Sequence, residues 1–217
     1  DAPYLEELIT QYGRYLLICS SRKGALPPNL QGVWNVHRDP PWRSGYWHNV
    51  NLQMNYWLAF PGNLPELFDA YIDYAKTYLP KQREFADQFV QQYNPSQLAP
   101  QGQNGWALGN SNWPYQASGT TSHSGWGTGP WTTMMFWDYY DYTRDKNLLR
   151  DVLYPFVYDQ SLYLSKMMRT PDSGWLDTIP DDGDKLLTYP SMPPENDRKR
   201  RPWATTIDPP PTIDNLL

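Results

Sequence analysis

The sequence has few of the residues from which disulfide bonds and metal sites are built. Cys19 is the single cysteine among 217 residues, which excludes a disulfide within the chain, and we expect it to pack as a small apolar side chain. The three histidines, His37, His48 and His123, lack the His-Glu-x-x-His spacing of a helical zinc site, and a second cysteine for a zinc pair is absent. We therefore predict no metal and no cofactor.

Positive charge and long apolar runs are scarce as well. The net charge is −5, so the chain lacks the basic surface of a protein that binds nucleic acid or an anionic membrane. No apolar run approaches the roughly 18 residues that cross a bilayer, and no basic-then-apolar signal segment opens the chain. A phosphate loop and a nucleophile elbow are also missing, which disfavours phosphoryl and acyl transfer. We expect no nucleic-acid partner and no membrane insertion.

Aromatic residues, in contrast, are abundant. The chain contains 11 Trp, 17 Tyr and 6 Phe, which make up 16% of its residues. Trp and Tyr combine an apolar face with a polar group, and sugar rings offer C–H faces for stacking together with hydroxyls for hydrogen bonds. The composition therefore favours a carbohydrate ligand, and an ordinary aromatic core with satisfied polar edges is the competing interpretation.

The spacing of apolar residues predicts an all-α fold. Apolar residues recur every three or four positions in residues 4–20, 65–79, 130–145 and 148–167. Residues 52–60 are apolar enough for a further, short buried helix, which makes this helix the second of five. Pro80 either kinks the third helix or starts a new one, and Pro155 interrupts the last. Residues 26–42 and 94–129 predict long ordered loops, the second with a short pair of strands, and we expect function to lie on loops of this kind.

Residues 47–57 (WHNVNLQMNYW) place amides and a histidine among large apolar side chains. Amide side chains carry both donors and acceptors, and leaving such groups unpaired in the interior costs about 1–3 kcal/mol each. The cluster therefore favours a polar ligand. The alternative is an aromatic-rich structural turn whose amides are satisfied within the protein.

Four blocks together carry a resemblance to a known family. They are residues 28–35 (PNLQGVWN), 49–57 (NVNLQMNYW), 194–196 (PEN) and 211–214 (PTID). In this order they resemble family 95 of the glycoside hydrolases, the inverting α-L-fucosidases and related α-L-galactosidases. The resemblance implies an (α/α)6 toroid with substrate bound by the loops at its mouth. It also implies that residues 1–217 form the first half of the catalytic domain, without the remaining barrel helices and the flanking β domains.

The resemblance assigns three catalytic residues. Inversion needs a protonated carboxyl for the leaving oxygen and a second group that activates water on the opposite face of the sugar. Glu195 corresponds to the acid, and partial desolvation in its proline-rich loop would raise its pKa. Asn49 and Asn51 correspond to the residues that hold the water. Because an amide is not a useful base, a carboxylate must accept the proton, and in the family that aspartate lies beyond Leu217.

Four further residues are expected to contact substrate. His48 adjoins Asn49, and Trp34 lies in the first of the four blocks. Trp113 offers a stacking face, although the family's His and Thr-Asp pattern before this tryptophan is replaced by Asn-Ser-Asn, which leaves the sugar open. Asp214 is a candidate for ligand binding or for bracing the acid loop, and helix capping is an equal alternative.

The sequence thus predicts an exo-acting, inverting glycosidase for an α-linked L-sugar, with L-fucose first and L-galactose second. A rival of another class is a non-catalytic glycan-binding protein that keeps the aromatic cleft, and a third interpretation is a purely structural helical domain. The expected partner is an oligosaccharide or glycoconjugate. Because enzymes of this type commonly act outside the cytoplasm, we expect an extracellular or periplasmic location.

Overall fold

The computed structural model describes residues 2–114, 116, 127–169 and 187–188, and most of these residues are helical. The α-helices are α1 (Ala2–Ser20), α2 (Asn51–Tyr56), α3 (Asp69–Tyr93), α4 (Thr128–Thr143), α5 (Lys146–Leu148) and α6 (Tyr154–Met167). Short 3-10 helices cover Pro41–Ser44, Pro65–Phe68 and Pro95–Gln97, and a π-helical turn at Leu149–Leu153 joins α5 to α6. This architecture agrees with the all-α prediction.

Two antiparallel pairs of very short strands join distant parts of the chain. β1 (Tyr46–Trp47) pairs with β2 (Ser111–Asn112), so that Tyr46 faces Asn112 and Trp47 faces Ser111. β3 (Met168–Arg169) pairs with β4 (Leu187–Thr188). β2 lies in the predicted loop of residues 94–129, and its partner β1 lies before α2. Residues 115 and 117–126 of this loop lie outside the described residues, so a strand pair within the loop stays a prediction.

Two prolines in predicted helices have different outcomes. α3 continues through Pro80 as one helix of 25 residues. The last predicted helix is divided instead, with α5 and the π turn ahead of Pro155, which sits in the first turn of α6. A proline ring clashes with the carbonyl four residues earlier, so the wider π turn gives Pro155 room at the point where α6 begins.

The main core lies between α3, α4 and α6 and is dominated by aromatic rings. Phe68 packs edge-on against Tyr56 and Phe136, with ring centroids 5.2 and 5.4 Å away, and Phe136 stacks on Phe156 at 5.0 Å. Such pairs contribute about 0.5–1.5 kcal/mol beyond the area that they bury. A smaller cluster, formed by Ala86, Val90, Ala107, Tyr163 and Met167, joins the second half of α3 to α6.

The loop after α3 is fixed to α6 through Gly105 and Trp106. Gly105 has φ +75°, and a Cβ atom there would collide with the carbonyl oxygen of Asp159 in α6. Trp106 is fully buried beside it, and its indole Nε1 donates to the Phe156 carbonyl at 3.1 Å. The close approach that a glycine permits therefore anchors the start of the loop that carries β2.

α1 confirms the predicted helix but exposes most of its apolar face. Leu17 is buried near the end of the helix, whereas Tyr4, Leu5, Leu8, Ile9, Tyr12 and Tyr15 are exposed.

None of the helices in the described residues is both long and apolar enough to cross a membrane. No three His, Cys, Asp or Glu side chains in those residues are grouped as metal ligands.

Candidate active site

The backbone of His48 is held on both sides, directly after β1. Its N–H donates to the Asn110 carbonyl at 2.7 Å, which extends the β1–β2 ladder by one residue. Its carbonyl accepts a hydrogen bond from Gln53 Nε2 at 2.6 Å. The turn that carries the predicted residues 48–51 is therefore fixed between the loop of β2 and the first turns of α2.

Gln53 is the buried residue that fixes this turn, and it belongs to the amide cluster of residues 47–57. Its side chain is fully buried, and Nε2 also lies 3.4 Å from Thr132 Oγ1, which in turn donates to the Thr128 carbonyl at 2.8 Å. Because a carbonyl can only accept, the NH2 side of the amide must face His48. Gln53 thereby connects α2, α4 and the amide cluster. The sequence signal for it is an amide between two large apolar residues, Leu52 and Met54.

The His48 ring lies in the interior and is neutral. The ring is fully buried, with the rings of Tyr71 and Tyr78 at centroid distances of 6.0 and 6.2 Å. Burial lowers the pKa of His48 to about 3, and the nearby Tyr46 backbone opposes this shift without cancelling it. Contact of His48 with substrate stays a prediction.

The two predicted water-holding amides follow His48 closely. Asn49 is buried, and Asn51 is the first residue of α2 and is half-buried. Each amide can donate to and accept from one water molecule, but neither has a basicity that could remove its proton. The water-holding role of this pair stays a prediction, and in that role the proton of the water must go to another group.

Trp113 is held through both its side chain and its backbone. It directly follows β2, its indole Nε1 donates to the Arg43 carbonyl at 3.3 Å, and its carbonyl accepts from the Tyr74 hydroxyl at 3.2 Å. Burial raises the pKa of Tyr74, so its hydroxyl keeps the proton that it donates. The β1–β2 ladder therefore links two predicted parts of the site, because Trp113 follows β2 at one end of the ladder and His48 follows β1 at the other end.

Gly45 makes room for the aromatic side chains of this ladder. A Cβ atom at Gly45 would lie 3.2 Å from Trp113 Cε2 and 3.2 Å from Trp47 Nε1. Both distances are shorter than ordinary van der Waals contacts, so a side chain here would displace an indole. Neither Gly45 nor Tyr74 was identified from the sequence, because their importance depends on residues far away in the chain.

Trp34 lines a separate cavity of about 330 Å³ between α1, the loop of residues 28–34 and α2. Its indole is half exposed. The cavity is connected to the amide cluster through α2, because Asn55, which also lines it, follows Asn51 by one helical turn. Glu195 and Asp214 lie outside the described residues, so their roles as acid and as ligand or bracing residue stay predictions.

Comparison with known proteins gives the family. The sequence model of the glycosyl hydrolase family 95 catalytic domain matches residues 1–217. The chain belongs to this family. The family-95 assignment agrees with the resemblance in the four sequence blocks.

Similar proteins of this family carry fucosidase names. Alpha-L-fucosidase 2 of Arabidopsis thaliana is 36% identical over 183 residues, which are 82% of this chain and 20% of the relative. Probable alpha-fucosidase A of Aspergillus niger is 35% identical over 160 residues, 71% of this chain and 19% of the relative. The family-95 chain thus spans about a fifth of the length of each of these two curated relatives.

Proposed function

We propose that this family-95 chain contributes the substrate-binding loops and the general acid of an exo-acting, inverting glycosidase. Its substrates are α-L-fucosyl linkages of glycans, with α-L-galactosyl linkages second. The single observation that supports this best is the β1–β2 ladder, which joins Trp113 to the turn of Asn49 and Asn51. An aromatic face and a pair of amides that are held by the same ladder suit a sugar ring with an oriented water molecule next to it.

In this mechanism Glu195 gives its proton to the leaving glycosidic oxygen as the bond to the anomeric carbon breaks. A water molecule held by Asn49 and Asn51 attacks that carbon from the opposite face, and a carboxylate beyond Leu217 takes the proton of the water. His48, Trp34 and Trp113 contact the sugars, and Asp214 binds ligand or braces the acid loop. The neutral His48 ring can take part as a hydrogen-bonding group but not as a cation.

The architecture that we propose for the intact protein is an (α/α)6 toroid. Residues 1–217 supply the first half of this catalytic domain, and further barrel helices and flanking β domains complete the protein. The mostly helical described part and the family assignment support this arrangement. We also propose that the protein acts outside the cytoplasm, in an extracellular or periplasmic compartment.

The general acid is tested with Glu195→Gln in the intact protein. We expect kcat on an alkyl α-L-fucoside to fall about 10²- to 10⁴-fold, the usual contribution of proton transfer. The loss should be smaller on a nitrophenyl α-L-fucoside, because that leaving group needs less protonation. Glu7→Gln, at an exposed position of α1, is the matched control and should leave both rates unchanged.

Two further results decide between this proposal and its rivals. Proton NMR should show the β anomer of L-fucose as the first product, and an α product would contradict inversion. Equal activity of Glu195→Gln and the unchanged protein would exclude Glu195 as the acid. A protein that binds L-fucose but hydrolyses neither fucoside would be the non-catalytic glycan-binding protein.

A further inference from the structure

The cavity beside Trp34 has the size and lining of a ligand site. Its volume of about 330 Å³ lies within the range of about 300–1,000 Å³ of small-molecule pockets. Its walls come from Leu16 of α1, Met54 of α2 and Leu58 just after α2, and none of the described residues that line it is charged. The absence of charged residues from this lining favours a neutral ligand over an anion or a cation.

Two amides in the lining are oriented by backbone carbonyls. Gln31 Nε2 donates to the Pro41 carbonyl at 3.1 Å, and Asn55 Nδ2 lies 3.4 and 3.3 Å from the carbonyls of Pro28 and Asn29. Because these carbonyls can only accept, the amide oxygens are the atoms left for a ligand. Gln31 Oε1 is buried and has no hydrogen-bond partner among the described residues. Two such acceptors suit a ligand with hydroxyl groups.

Trp34 adds an aromatic surface to the same cavity. Its indole lies against Gly32, where a Cβ atom would approach Trp34 Cζ3 to 2.6 Å and Cε3 to 2.7 Å. Gly32 has φ +65° and no side chain, so the indole can lie on the backbone there. Half of the Trp34 surface remains exposed. A half-exposed indole beside two hydrogen-bond acceptors is a suitable environment for a sugar ring.

We propose that this cavity is a second sugar-binding subsite, which holds a neutral sugar residue of the same glycan next to the residue bound at Asn49 and Asn51. The position of the cavity supports this role, because Asn55 and Asn51 lie one turn apart on α2, with about 5–6 Å between neighbours at this spacing. The inference rests on the proposed function, in which the L-sugar at Asn49 and Asn51 is the one that is cleaved off. It assigns Trp34, Gln31 and Asn55 to the leaving group and not to the L-sugar itself.

The test compares two substrates in the intact protein. An aryl α-L-fucoside carries one sugar, whereas a neutral fucosylated trisaccharide can also occupy the second subsite. For Trp34→Ala we expect KM to rise about tenfold on the trisaccharide, equivalent to the loss of one stacked ring, and to stay within about twofold on the aryl fucoside. Gln31→Met, which keeps the side-chain length but removes the acceptor, should change KM in the same selective way.

The control is Trp137→Ala, which removes an indole of similar exposure from α4 and should leave both KM values unchanged. Equal KM changes on the two substrates in Trp34→Ala, or none on either, would overturn the subsite. If no fucoside is hydrolysed, the proposed function fails but the subsite can still be tested by NMR with lactose at millimolar concentration. Shifts of the Gln31 and Asn55 side-chain amides, lost in Trp34→Ala, would then support the subsite, and unchanged spectra would overturn it.

Discussion

His48 shows at the residue scale how burial determines the protonation state of a side chain. The sequence places His48 beside Asn49, a position from which a substrate contact is expected. In the structure the ring is fully buried beside Tyr71 and Tyr78, and burial lowers its pKa to about 3. His48 is therefore a neutral imidazole near pH 7.

This burial predicts a pH-dependent stability. The folded-state pKa of about 3 lies below the ordinary value of 6.5, so the unfolded chain binds the proton first as the pH falls. The stabilisation by the neutral ring is complete above pH 6.5 and is lost toward pH 3. We expect the contribution of His48 to the free energy of unfolding to fall by up to about 1.4 kcal/mol per pH unit in this window. Urea titrations at several pH values measure this change in the free energy of unfolding.

The matched variants are His48→Phe and His37→Gln. Phenylalanine fills the space between the two tyrosines without a titrating group, so this variant should lose the part of the pH slope that His48 contributes. His37 is exposed, and its replacement should leave the slope unchanged. An unchanged slope in His48→Phe would show that His48 does not cause the pH dependence.

At the scale of elements, α2 depends on a contact that a short helix cannot make by itself. It has only six residues, and its N-cap residue Val50 makes no side-chain capping bond. Gln53 compensates, because its amide donates to the His48 carbonyl two residues before the cap and also contacts Thr132 of α4. The same contact fixes the helix start and the amide cluster.

Gln53→Leu should therefore destabilise the protein. The substitution keeps an apolar side chain of similar size but leaves the buried His48 carbonyl without this donor, at a cost of about 1–3 kcal/mol. Urea unfolding measures this loss, and hydrogen exchange should become faster at the backbone amides of residues 51–53. The control is Gln91→Leu at an exposed position of α3, for which we expect a change within about 0.5 kcal/mol. Equal stability of Gln53→Leu and the control would contradict the anchoring role.

How far the sequence predicts the elements depends on the range of the interactions. The helices α1 and α4 were predicted correctly because the spacing of their apolar residues can be seen within a short segment of the sequence. The pairing of β1 with β2 was not, because two-residue strands have no measurable periodicity and their partners are separated by some sixty residues of chain. For the same reason Asn49 and Asn51 could be identified from a motif, whereas Gly45 and Tyr74 became visible only through contacts in the folded chain.

At the scale of the whole molecule, α1 differs from the other long helices. α3, α4 and α6 contribute their apolar faces to the core, whereas α1 contributes mainly Leu17, close to its last turn. Ser21, directly after α1, strengthens this end of the helix because its buried hydroxyl lies 2.7 Å from the Tyr56 hydroxyl and donates to the Leu67 carbonyl at 2.7 Å. α1 is thus attached to the rest of the described fold through its C-terminal end and not through its apolar face.

Two leucines of α1 test this attachment in the 217-residue chain. Leu17 is 5% exposed, and Leu17→Ala should reduce the free energy of unfolding by about 2–5 kcal/mol through lost burial and a cavity. Leu8 is 50% exposed, so the same substitution there should change it by less than about 0.5 kcal/mol. The chemistry of the two changes is identical, so the difference measured by urea unfolding reports burial alone. A loss at Leu8 as large as that at Leu17 would contradict this attachment, because it would mean that polypeptide outside the described residues covers the apolar face of α1.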